Sequence, residues 1–171
     1  MTATTQLQPR AYTKVLLASD GSPAMEATIL VAGLIAERGG AEVQVVTVVE
    51  PLPMVTPEAN LPVTPELDER RRNTLKERVL EQLAQFAPAS KDWPVQQLDG
   101  HPDATVVRVA RETKADLIVL GLGEHGIGDR WFGGETALRV LNLTNLPVLA
   151  VSRGAGALPT GVRVAMERCG W

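Results

Sequence analysis

The chain has 171 residues, 44% of them hydrophobic and 22% charged, which suits one globular domain with a full apolar core and excludes wholesale disorder. Its formal net charge of −3 lacks the cationic footprint that binding double-stranded nucleic acid requires. The single cysteine, Cys169, excludes an internal disulfide or a cysteine-ligated metal site within one chain.

A thiol-poor chain fits the cytoplasm. Residues 1–11 are polar and read as a disordered lead-in without the apolar stretch of a signal peptide. Lys14-Val15-Leu16-Leu17-Ala18-Ser19-Asp20 is an apolar run ending in turn residues, and predicts a buried strand. Ser22-Pro23 supplies an N-cap and a proline at the first helical position. Ala27, Val31, Leu34 and Ile35 follow at helical spacing, and Gly39-Gly40 stops the helix. Glu42–Val49 is rich in valine and predicts a second buried strand.

Five prolines between Glu50 and Pro65 keep that stretch from pairing or coiling. A loop so long is usually functional or mobile. Thr64-Pro65 opens a second helix with acids in its first turn, and Leu75, Val79, Leu83 and Phe86 form its inner stripe. Arg70-Arg71-Arg72 follows Glu66, Asp68 and Glu69 and reads as a solvated helix face. Trp93–Leu98 is a more polar strand, placed at a sheet edge. Gly100-His101-Pro102 turns into a third helix that faces Val106, Val109 and Ala110 inward.

Asp116–Leu120 is a fourth strand, and a glycine-rich loop runs from Gly121 to Gly134. A fourth helix carries Ala137, Leu138 and Leu141, and Pro147–Val151 is a fifth strand. Residues 153–171 form a tail in which Val162–Met166 reads as an extra strand, a dimer arm or the start of a second domain. Apolar strands alternating with helices predict an α/β fold, a doubly wound, Rossmann-like, five-stranded parallel sheet with helices on both faces. Ligands then bind at the carboxyl ends of the strands, near Asp20, the end of the second strand and Gly121.

Four segments resemble the universal stress protein family across residues 12–152. They are Val15–Ser22, Gly100-His101-Pro102, Ala115–Gly121, and Arg139-Val140-Leu141 followed by Leu146–Val151. The resemblance implies a cytoplasmic stress-response protein with strand order 3-2-1-4-5. It also implies a homodimer that pairs fifth strands through Pro147, Val148, Leu149, Ala150 and Val151. An exposed apolar edge strand is a template for such pairing; the alternative is an edge covered by residues 153–171.

The ATP-binding branch of this family carries Gly-x2-Gly-x9-Gly-Ser/Thr, whose glycines and hydroxyl meet the phosphates at a helix start. Here Gly121 and Gly134 match, but Glu124 stands at the second glycine and Glu135 at the hydroxyl, with Thr136 one place later. A carboxylate about 5 Å from a phosphate charge costs roughly 3 kcal/mol at an effective dielectric of ~20. ATP is therefore disfavoured and no cofactor is expected. Glu135 would serve as the anion that the helix amides seek, or simply as a good first-turn residue. Arg130 or Arg139 would offset part of the acids' opposition to a triphosphate, and a further alternative has Glu124 and Glu135 holding a divalent cation that bridges to a ligand. In the family, the residue at Asp20 meets the adenine or ribose side of the nucleotide; the alternative is a cap on the following turn. Val48 and Leu120 match adenine-pocket positions, although both would be apolar in any such sheet.

No catalytic constellation emerges, since His101 and His125 have no identifiable partners and no paired metal spacing or nucleophile elbow is present. The expectation is a dimeric binding or regulatory protein with an unknown protein partner, neither nucleic-acid-bound nor membrane-bound. The first alternative is a nucleotide-dependent switch or slow ATPase. An ATP pyrophosphatase would want Ser-Gly-Gly-x-Asp-Ser where this chain has Ser19–Pro23. A dinucleotide site would need Gly121–Gly126 after the first strand, and a receiver domain would need clustered acids and a lysine.

Overall fold

A computed structural model describes residues 12–51, 64–122, 134–152 and 164–165. The elements are β1 (Lys14–Ala18), α1 (Met25–Gly39), β2 (Glu42–Val49), α2 (Pro65–Phe86), β3 (Val95–Asp99), α3 (Pro102–Glu112), β4 (Leu117–Leu122), α4 (Gly134–Leu143), β5 (Val148–Ser152) and β6 (Val164–Ala165). A short 3-10 turn, Pro88–Asp92, separates α2 from β3.

The first five strands are parallel and lie in the order β3-β2-β1-β4-β5. The order follows from apolar alternation on two faces. Val15 and Leu17 of β1 pack with Met25, Ile29 and Ala32 of α1 and Val79 and Leu83 of α2. Leu16 and Ala18 pack on the other side with Val106, Val109 and Ala110 of α3 and Ala137 and Val140 of α4. Each fully buried Leu, Ile or Val contributes about 1.5–3 kcal/mol. Both faces of β1 are covered, so its run is continuously apolar. Polar β3 stands at the edge, as its composition predicts.

Local chemistry sets most boundaries. Thr64 caps α2, its hydroxyl accepting from the Leu67 amide at 3.3 Å, and Pro65 takes the first helical position. Gly40 ends α1 in the left-handed region at φ 65°. The start of α1 departs from expectation. Ser22-Pro23 forms a turn, the helix begins at Met25, and Ala24 caps it without a side-chain bond. The reason lies two residues upstream, where the Asp20 carboxylate accepts from the Ser22 amide at 2.9 Å, folding Ser22 into an Asx turn.

Two helical stripes are also corrected. In α1 the inner face is Met25, Thr28, Ile29, Ala32 and Gly33, while Leu34 is exposed and Val31 and Ile35 are half-buried. Those three line a shallow apolar hollow with Tyr12 and Arg38. In α4, Val140 is buried and Leu138 is 60% exposed.

The outer edge of β5 is not wholly open. Strand β6 pairs with it antiparallel, Ala150 opposite Ala165 and Val151 opposite Val164, so the extra-strand reading of the tail describes these two residues. Of the expected interface Pro147, Val148, Leu149, Ala150 and Val151, the last two residues have a partner strand in the same chain. No described helix is long and apolar enough to cross a membrane.

Candidate functional site

A cleft of about 330 Å³ opens at the carboxyl ends of β1 and β2, lined by Asp20, Ser22, Pro23, Val49, Arg71, Thr74, Leu75 and Arg78. Its volume is at the small end of the ligand-pocket range. The β1–α1 turn forms one wall. Ser19 Oγ accepts from the Gly21 amide at 3.3 Å, and Gly21 sits at φ 66°. The left-handed backbone favours glycine there, and a Cβ would stand 2.9 Å from Leu75 Cδ1 and push that side chain aside. Helix α2 is fastened to this turn by Gln82, whose amide donates to the carbonyls of Gly21 at 3.4 Å and Ser22 at 2.9 Å.

The opposite wall is one face of α2, where Arg71, Thr74 and Arg78 succeed one another at helical spacing. Arg71 donates to the Glu50 carbonyl at 2.6 Å and lies 3.4 Å from Asp68. Asp68 also holds Arg72 at 2.7 Å, and Arg72 reaches Asp99 at 2.5 Å. Hydrogen bonds that Arg72 donates to the Asp68 and Asp99 carboxylates hold its guanidinium above its ordinary pKa. The arginine triplet is thus no plain solvated face: Arg71 walls the cleft and Arg72 ties α2 to the end of β3. Val49 stands at the end of the second strand, where sequence reasoning placed the site; Arg71, Thr74 and Arg78 were missed, and the available signal was their spacing on the helix that follows the proline loop.

Of the expected site residues, Asp20 lies in the cleft. Its carboxylate supports the Ser22 turn, as the capping alternative holds. Val48 and Leu120 do not reach the cleft. They are 2% and 0% exposed and belong to the core under α3 and α4, the opposite face from Val49. Gly121 is buried near the end of β4, where a Cβ would meet Thr28 Oγ1 at 3.0 Å and Met25 Sδ at 3.1 Å. Close packing against α1 thus favours a small residue at this position.

Gly134, Glu135 and Thr136 open α4. Glu135 is 78% exposed and its carboxylate accepts from Arg139 one turn on at 2.6 Å; Arg139 lies 4.0 Å from Asp103 of α3. The carboxylate is turned along the helix exterior toward Arg139, which favours the first-turn reading over an anion folded back onto the amides. Glu124, Arg130 and His125 lie outside the described residues. His101 is the exposed N-cap residue of α3 and makes no side-chain capping bond.

Comparison with known proteins decides the family. The description "Universal stress protein family" matches residues 11–152. The chain belongs to the universal stress protein family. A universal stress protein of Methanocaldococcus jannaschii is 33% identical over 147 residues, 83% of each chain. The universal stress protein UspA from Lactobacillus plantarum superimposes with a TM-score of 0.65 at 25% identity, covering 82% of this chain and 98% of that one. A universal stress protein solved in complex with cAMP superimposes at 0.58 with 24% identity, covering 84% and 99%. Membership makes this a stress-response protein, and the sheet order 3-2-1-4-5 is the order of its structural neighbours.

Proposed function

We propose that this universal stress protein is a binding or regulatory protein whose cleft takes a ligand smaller than ATP. The observation that carries this reading is the acid at the head of α4. A triphosphate reaching the amides of that helix would meet Glu135 where the ATP-binding motif has a hydroxyl. Solvent around this exposed carboxylate screens the repulsion toward about 1 kcal/mol, with the second acid, Glu124, adding to it. Gly121, one of the two matching motif glycines, serves packing against Met25 and Thr28. Its presence therefore argues little for phosphate contact.

A binding role is further supported by the cleft lining, which among the described residues holds one carboxylate and two guanidiniums and no histidine or cysteine. Its 330 Å³ suits a nucleotide with one phosphate, and one neighbour of this fold is described in complex with cAMP. A second copy pairing along β5 requires β6 to leave Ala150 and Val151 or to be exchanged between copies. Calorimetric titration of the purified chain with ATP, with and without magnesium, tests the reading. Dissociation constants of about a millimolar or weaker are expected, and micromolar binding contradicts it.

A further inference from the structure

The apolar hollow on α1 lies open among the described residues. Val31, Leu34 and Ile35 line it with Tyr12, Arg38 and Gly39 around about 330 Å³, and Leu34 is 41% exposed. Two contacts fix which way this flank of the helix faces. Gly33 is on the other flank, where a Cβ would lie 3.6 Å from Ala87 Cβ at the end of α2. Thr28 packs on Gly121 of β4, and Val31 and Ile35 follow it three and seven residues on, along the same side of the helix. The hollow therefore faces away from α2, toward the side of the sheet where β5 and β6 lie.

Strand β5 runs with the parallel strands, so antiparallel β6 heads for the amino end of the sheet. Helix α1 crosses in the same direction, from the end of β1 to the start of β2. The β6 pairing joins only Val164 and Ala165 to β5 among the described residues. So short a ladder does little to offset the entropy of ordering the chain, and β6 needs an anchor. One step further in the same register sets Met166 opposite Leu149. Directly opposed residues of antiparallel strands share a face, and Leu149 belongs to the apolar cluster on the α1 side. Residues 166–171, Met-Glu-Arg-Cys-Gly-Trp, reach about 20 Å when extended, against about 12 Å for Val31 to Gly39 along the helix. Trp171 supplies an aromatic ring of the kind that fills such hollows. Residues 1–11 also lead to the hollow through Tyr12, but Met1 and Leu7 are their only large apolar side chains and they hold no aromatic ring. We propose that residues 166–171 dock along the outer flank of α1, with Trp171 in the hollow, and so anchor β6 over the edge of β5.

The test is limited trypsin digestion of the full chain, followed by mass, since cleavage tracks how often a segment opens. Cleavage after Arg163, next to β6, reads release of the strand, and cleavage after Arg10 reads the other terminus. The variants are Leu34→Asp and Trp171→Ser, one on each side of the contact, with Leu138→Asp on α4, across the sheet, as control. Leu34→Asp and Trp171→Ser are each expected to speed cleavage after Arg163 at least fivefold at an unchanged thermal midpoint, and Leu138→Asp to leave it unaltered. Trp171→Ser carries the test alone where Leu34→Asp lowers the thermal midpoint. Cleavage after Arg163 that ignores Trp171→Ser overturns the proposal. Leu34→Asp that speeds cleavage after Arg10 and not after Arg163 overturns it in favour of residues 1–11. Leu34→Asp that lowers the sedimentation mass at unaltered cleavage overturns it in favour of a second copy of the chain.

Discussion

Gly121 and Thr28 are packed so closely that a single methyl on the glycine would stand 3.0 Å from the threonine hydroxyl. The Thr28 hydroxyl is itself buried, without a hydrogen-bond partner among the described residues. This motif-matching glycine therefore also packs tightly against helix α1. Gly121→Ala is expected to lower stability by about 1–3 kcal/mol through overpacking. Thr28→Ala in the same chain is expected to recover part of that loss by removing the clashing atom. Denaturant unfolding of both single variants and the double variant measures the coupling; strictly additive losses would place the strain elsewhere.

Asp116 offers a pH-dependent prediction. One carboxylate oxygen accepts from the Thr13 amide and hydroxyl, both at 2.8 Å, and the other from the Lys14 amide at 3.0 Å. This ties the strand entering β1 to the start of β4. Partial burial pushes the Asp116 pKa up, but the bonds from Thr13 and Lys14 outweigh it and hold the group below its ordinary value. A carboxylate depressed in the folded state stabilises fully above its unfolded pKa, and that stability is lost as pH falls through the folded one. Unfolding free energy is expected to fall as the medium is acidified below about pH 4. Asp116→Asn is expected to cost about 1–2 kcal/mol at neutral pH and to flatten the acid limb. A variant as acid-sensitive as the wild type would assign that limb to other groups.

The edge of β5 supplies a test of assembly. Strand β6 occupies the outer side of Ala150 and Val151, and an uncovered apolar edge invites pairing with another chain. Removing residues 153–171 is expected to raise self-association at matched concentration, as read by sedimentation equilibrium. An unchanged mass distribution would show that β6 does not guard this edge.

The fold was legible because its strands are simple. β1, β4 and β5 are buried on both faces, and such runs have no polar alternation to confuse with a surface strand. The caps at Thr64 and Gly40 were legible for the same local reason: each acts through its own side chain or backbone. The inner face of α1 was harder to read. Apolar residues surround that helix, and Leu34 and Ile35 fit a helical stripe as well as Ile29 and Ala32 do. The wall of the cleft was hidden more deeply. Arg71 and Arg78 lie on a helix crowded with charges, and only the packing of Leu75 against Gly21 shows which face meets the β1–α1 turn. Val48 and Leu120 turn away from this cleft because neighbouring residues in a strand point to opposite faces. The cleft takes Val49, one residue later.

The central claim is that acids at the glycine-loop positions keep a triphosphate from this site. The most direct measurement is calorimetric titration with magnesium-ATP of the wild type beside the double variant Glu124→Gly, Glu135→Ser. The account predicts binding at a millimolar or weaker in the wild type and a gain of at least tenfold in the variant. Wild-type binding in the micromolar range, left unchanged by the double substitution, would contradict it.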